Sequence, residues 1–122
     1  MIITEKEAGI LIDLIHKSVT VDPSEKRSHE KLHQDLKNTL FLQSNEIPLN
    51  VVRLNCFVTI ETDYSRKYKF QLVFPDEGNL SKNKLSVLSP MGAALIGKSI
   101  GDIVFWCQPN GDEKMRIEDV SF

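Results

Sequence analysis

Hydrophobic positions near the start of the chain recur with a helical period. Ala8, Leu11, Ile12 and Ile15 follow the i, i+3, i+4, i+7 spacing, and Ile10 and Leu14 widen the apolar face. The pattern predicts an amphipathic helix of about 14 residues, roughly 21 Å long at helical rise. Thr4 and Glu7 open it: three residues apart, each side chain can satisfy the other's free backbone N–H in a capping box. The stretch SVTVDPSEK breaks the period. Asp22 then supplies a cap and Pro23 a first-turn residue for a second helix. Its Leu32, Leu36 and Leu40 recur at steps of four and carry it to about Leu42. Two amphipathic helices joined by a short loop predict an antiparallel helical hairpin.

The period changes at NEIPLN, where Pro48 bars helix continuation. NCFVTIET and KYKFQLVF are β-rich and flank DYSR, which predicts a hairpin. FPDEGNLSKN is a polar loop and KLSVL a short strand. In SPMGAALIGKSIGD, Ser89 caps a short helix, Pro90 takes its first position and Gly97 ends it. IVFWCQ and KMRIEDVSF form a last hairpin across PNGD, where Asn110-Gly111 signals a tight turn. The fold class that results is α+β: a short N-terminal helical hairpin over residues 1–46, then a mainly antiparallel sheet with one short helix over residues 47–122.

Composition adds bounds. At 122 residues, 41% hydrophobic and 26% charged, the chain is long enough for one cored domain. A net charge of −2 gives no reason to expect nucleic-acid binding through a basic surface, so a protein or small ligand is the better partner. Cys56 and Cys107 sit in apolar or alternating runs and read as reduced thiols in or beside the sheet. Charges interrupt MIITEKEAG where a signal peptide needs an apolar run, and no segment reaches membrane-spanning length. The expected compartment is the cytoplasm.

One string invites a chemical reading. His29, Glu30 and His33 spell H-E-x-x-H, the helical motif in which two histidines ligate zinc and the glutamate serves as base. The flanks argue against it: Lys31 lies inside the motif, Gln34, Asp35 and Lys37 follow, and His16 is the only other histidine. A motif helix that must be enclosed does not tolerate that ammonium. The two histidines are therefore assigned to the border of the packed helix face, rings half covered and nitrogens in water. GKSIGD lacks the upstream glycine of a phosphate loop and follows a helix, so it reads as a turn before a strand. No Ser/His/Asp or Cys/His set stands out, and no catalytic residue, metal or cofactor is predicted. Asp22 and Glu25, at the hairpin tip, are first a helix start. Two exposed carboxylates could also complete a Mg²⁺ shell begun by another protein. Trp106 alternates with Phe105, so one of them faces the core; Tyr64, Tyr68, Phe70 and Phe74 are spread over the preceding hairpin, with core packing the default.

The string KLSVLSPMGAALIGKSIGDIVFWCQPNG, Lys84 to Gly111, resembles the C-terminal domain of the bacterial Gre transcript-cleavage factors. The matching residues are Ser89, Pro90, Gly92, Ala94, Leu95, Gly97, Gly101 and Asp102. EIPLNVVRLNCFVTI, LVFPDE and LSVLSPMGAALIG further resemble one branch, the regulator of nucleoside diphosphate kinase, with Asn50 where that branch usually has Asp. The resemblance implies a C-terminal domain of FK506-binding-protein-like (FKBP-like) fold and a coiled-coil arm. It also implies binding to RNA polymerase at the rim of the secondary channel, partly through the loop Leu88, Ser89, Pro90 and Met91. In the cleavage factors the arm carries an acidic tip to the polymerase active centre. DPSE echoes that tip at Asp22 and Glu25, but the arm here is much shorter, which implies a binding regulator without cleavage. Two other readings stay open: a peptidyl-prolyl isomerase, which needs an aromatic-lined proline pocket, and direct control of nucleoside diphosphate kinase. Fold alone decides neither.

Overall fold

In the computed structural model, which describes residues 1–63 and 65–122, the chain begins with a two-residue strand. β1 (Ile2–Ile3) leads into α1 (Glu5–Lys17) through Thr4, whose hydroxyl accepts from the Glu7 N–H at 3.0 Å while Glu7 accepts from the Thr4 N–H at 3.2 Å. The predicted capping box is present. α2 (Pro23–Lys37) starts at Asp22, which accepts from the Ser24 N–H at 2.8 Å, with Pro23 in the first turn.

The second helix ends before Leu42, contrary to the leucine spacing. The Asn38 N–H turns back to the Asp35 carbonyl, and the Thr39 hydroxyl donates to the same oxygen at 2.6 Å. Leu40 and Phe41 leave the helix as β2 (Leu40–Phe41), paired in parallel with β1. Leu40 is 59% exposed, so the buried seam stops at Leu36. A β-branched threonine that bonds its own turn ends a helix that leucine spacing alone would continue.

The sheet is built from β3 (Phe57–Thr62), β4 (Lys67–Val73), β5 (Lys84–Ser86), β6 (Ile103–Trp106) and β7 (Glu113–Ser121). Its order is β5-β4-β3-β7-β6. All neighbours are antiparallel except β4 and β5, which run parallel. A register shift between Thr59 and Ile60 against β7 marks a bulge. Such an irregularity strengthens local twist and helps a sheet curl. Gly111, with φ +117, sits in the turn between β6 and β7. Tyr64, which follows β3 and precedes β4 in sequence, lies outside the described residues.

Alternation puts Val58, Ile60, Leu72, Leu85, Val104, Met115, Ile117 and Val120 on the inner face, all buried. α3 (Pro90–Leu95) covers that face with Ala93 and Leu95, and Ile96 follows them into the core. Ala8, Leu11, Leu32 and Leu36 from the two N-terminal helices join the same cluster, so the core is continuous across residue 46. The outer face carries charge instead, with Glu61 between Lys67 and Arg116 at 3.8 Å from each. Cys56 and Cys107 are free and buried. Among the described residues, no helix is long and apolar enough to cross a membrane.

Candidate functional site

The loop from Val87 to Met91 is fixed by short-range bonds. The Ser86 hydroxyl accepts from the Leu88 N–H at 3.1 Å. The Ser89 hydroxyl donates to the Ser86 carbonyl at 2.6 Å and accepts from the Gly92 N–H at 3.1 Å, which caps α3. Gly92 has no room for a side chain: a Cβ there would stand 2.1 Å from the Ser86 carbonyl oxygen. Ser-Pro therefore starts a helix whose first turn lies directly on the end of β5. Within the loop, the Leu88 side chain is buried, while Ser89, Pro90 and Met91 are half-buried and present the accessible surface.

The second helix lies across this loop. His29 is buried, and its Nε2–H donates to the Leu88 carbonyl at 2.8 Å. Arg27 donates to the Gln108 carbonyl at 2.9 Å, beyond the end of β6. Ser24 and Ser28 are buried along the same helix face. This corrects the expectation that both histidines stand with their nitrogens in water. His29 is drawn under the sheet domain, whereas His33 is half-buried, its ring centroid 6.1 Å from that of exposed His16. The two histidines of H-E-x-x-H thus have separate neighbours, a backbone carbonyl for one and a second imidazole for the other. Among the described residues, no three His, Cys, Asp or Glu side chains converge as a metal site.

Asp22 and Glu25 are both engaged at the start of α2. Asp22 caps the helix. Glu25 accepts from the Thr20 hydroxyl, which in turn accepts from the Asp22 N–H at 3.2 Å. The apolar side chains of the tip are bare: Val19 is 97% and Val21 89% exposed. Sequence spacing foresees the caps but not these valines, which belong to a break in the helical period.

Four further features escape a one-dimensional reading. Arg53 reaches back to Glu7 at 3.1 Å and so ties the linker after Pro48 to the first turn of α1. Lys98 lies 3.6 Å from Asp35 across the seam between α2 and α3. Burial pushes its ammonium below the ordinary lysine range, against the pull of Asp35, and Lys31 pushes the same way as burial. Trp106 packs against the core with its indole N–H buried and unpartnered among the described residues. Tyr68 and Phe70 stack on each other at 6.2 Å on β4, well away from β6 in the strand order. These aromatics are divided between different parts of the sheet.

Comparison with known proteins agrees with this architecture. Residues 47–122 match the family model for transcription elongation factor GreA/GreB, C-terminal part. The chain is 40% identical over 116 residues to a transcription elongation factor GreA of Syntrophus aciditrophicus, covering 88% of this chain and 71% of that relative. It is 34% identical over 91 residues to a GreA of Clostridium botulinum, covering 74% of this chain and 57% of that relative. The chain thus spans little more than half the length of the second relative. A solved GreA/GreB-type elongation factor from Nitrosomonas europaea superposes with a TM-score of 0.77 at 27% identity, covering 100% of this chain and 98% of that one. The superposition includes the N-terminal helices as well as the sheet. On the match over residues 47–122 and the identity to the Syntrophus relative, the chain belongs to the GreA/GreB family of transcription elongation factors.

Proposed function

We propose that the protein binds RNA polymerase at the rim of the secondary channel and regulates elongation without promoting transcript cleavage. Residues 47–122 serve as the docking module, through the surface of Ser89, Pro90 and Met91, with Leu88 as the buried anchor of that loop. Residues 1–46 serve as a short arm. Family membership supports the polymerase as partner. The finer placement in the branch of regulators of nucleoside diphosphate kinase rests on the sequence segments around Val51 and Leu85.

One observation carries the claim of binding without cleavage. His29 of the arm bonds to Leu88 of the docking loop, and Asp22 at the tip precedes His29 by only seven residues. At helical rise Asp22 lies about 10 Å from His29 along α2, and buried Ser24 and the Arg27–Gln108 bond keep that first turn against the sheet domain. α1, with 13 residues, adds no further reach, since it spans about 20 Å and packs into the same core. An acidic tip at that height competes for the channel entrance but does not reach a metal deep inside it. The carboxylates of Asp22 and Glu25 then act within their own helix start.

The test uses backtracked elongation complexes of purified RNA polymerase, with competition against a cleavage-competent factor and transcript cleavage scored in one tube. Competition without cleavage is the expected result. Cleavage that disappears in the Asp22→Asn, Glu25→Gln variant would overturn the reach argument. Absence of competition would remove the polymerase as partner.

A further inference from the structure

β6 is an edge strand with an unguarded outer side. The Ile117 N–H bonds to the Asp102 carbonyl, and the register pairs Val104 with Met115 and Trp106 with Glu113. Alternation of an antiparallel ladder then turns the peptide groups of Ile103 and Phe105 away from β7. Among the described residues, neither takes part in a turn, loop or cap bond. Their side chains are also bare, Ile103 at 57% and Phe105 at 48% exposure. Edge strands are ordinarily blunted by a charge, a proline or a bulge. Ile103 to Trp106 contains none of these, and Asp102, the acid before it, is spent on the Ser99 N–H at 2.8 Å.

The edge borders a cleft of about 220 Å³ whose far wall comes from α2 and α3. Ile103 and Phe105 line one side; Lys31, Asp35, Ala94 and Lys98 are among the residues opposite. The Lys98 ammonium has three donors, yet its contacts are long, 3.6 Å to Asp35 and 3.4 Å to the Ala94 carbonyl. Lys31 brings a second ammonium to the same cleft. Lys31 and Lys98 face Asp35 across the cleft, with Asp102 acting on Lys98 from outside its lining, and Lys98 is held partly out of water. A strand edge beside a helix, with cationic groups between them, is a geometry that accepts an extended peptide by main-chain bonding and selects it by an acid.

The geometry points to a docking site for an extended segment of a partner protein, added as a strand outside β6, with a carboxylate of that segment seated between Lys31 and Lys98. Pro90 of the proposed docking loop also lines this cleft, but the free strand edge and the two lysines are observations separate from the family match that assigns the polymerase.

The probes are end-capped pentapeptides of alternating Val and Thr with one Glu placed at each position in turn, titrated into the isotopically labelled full chain. Amide shifts and hydrogen exchange are followed by NMR. The expected result is saturable shifts at Ala94, Lys98, Ile103 and Phe105, with slowed exchange of the Ile103 and Phe105 amides. Changing the peptide Glu to Gln, or Lys98→Met in the protein, is expected to weaken binding about tenfold, the loss of one charge-assisted contact. Lys31→Glu, at an exposed position, gives the same reading should Lys98→Met fold poorly. Peptides N-methylated on alternate residues are expected not to bind. Failure of the whole panel to saturate, or equal binding of the N-methylated peptides, would overturn the proposal. So would a concentration-dependent dimer in sedimentation equilibrium that by itself protects the Ile103 and Phe105 amides, since a second copy would then occupy the edge.

Discussion

His29 on α2 donates from Nε2 to the carbonyl oxygen of Leu88 over 2.8 Å, and this bond ties the helical part of the chain to the loop that leads into α3. Both residues are buried, so neither group has water as a substitute partner. His29→Ala leaves the carbonyl unpaired and removes the packed ring. The expected loss is about 2–4 kcal/mol of unfolding free energy in urea denaturation. His33→Ala, at a half-buried site beside exposed His16, is expected to cost about 0.5 kcal/mol or less. Equal losses would mean that the Leu88 bond contributes nothing distinctive.

Two glycines on helices should respond in opposite directions to the same substitution. Gly92 lies against the Ser86 carbonyl, and an added Cβ at 2.1 Å forces α3 off the end of β5. Gly92→Ala is expected to cost about 3 kcal/mol or more, as overpacking against backbone does. Gly9 lies within α1, is exposed, and has nothing within 4 Å of the place a methyl group would take. Gly9→Ala is expected to stabilise by about 0.5–1 kcal/mol through helix propensity. Thermal denaturation of both variants checks the pair, and a destabilised Gly9→Ala would show that α1 packs differently.

Lys98 gives the stability a specific alkaline dependence. Burial, the largest cause, lowers its pKa in the folded protein below the ordinary 10.5, although Asp35 opposes the shift. Between the folded and unfolded values the unfolded chain holds the extra proton, so the slope of unfolding free energy against pH is positive there. Lys98 therefore opposes folding while charged, and that opposition fades as pH rises through the folded value towards 10.5. Urea midpoints measured across this alkaline window should fall more steeply with pH in Lys98→Met than in the parent, because the variant lacks the compensating rise. Identical profiles would mean that Lys98 titrates as a solvated side chain.

How much of this was legible in the sequence follows from the range of each interaction. Thr4 with Glu7, Asp22 with Pro23, and Ser89 with Pro90 act within one turn, and their caps read directly from spacing. The strands from Phe57 to Val73 and from Ile103 to Ser121 follow from alternation and turn residues. Leu40 misled because its spacing is helical while Thr39 ends the turn through its own hydroxyl. His29 misled because the periodic face shows that a side is covered but not by what: the cover is Leu88, 59 residues away. The ion pairs of Arg53 with Glu7 and Lys98 with Asp35 join residues far apart in sequence, and no local pattern announces them. The β6 edge is of the same kind, since a strand's place at the margin of a sheet depends on the order of all five strands.

The roles of tip and loop can be separated by variants that leave the caps intact. Asparagine caps a helix as well as aspartate, so Asp22→Asn removes the charge and keeps the bond to the Ser24 N–H. Glu25→Gln likewise keeps an oxygen for the Thr20 hydroxyl. Stability should therefore remain within about 0.5 kcal/mol of the parent. If the tip does not reach the polymerase metal, its charges matter little, and competition for the polymerase should change by no more than about twofold, within the near-neutral range of rim charges. Met91→Asp acts elsewhere: the residue follows the Ser89 cap and the Pro90 first turn, and its half-buried side chain packs on the core while part of it stays accessible beside them. A carboxylate there should weaken competition by about tenfold or more, as desolvating a charge in a docking patch does. Circular dichroism on each variant separates lost binding from lost folding. The reverse ranking, with the tip variant defective and Met91→Asp active, would transfer the binding energy from the sheet domain to the arm.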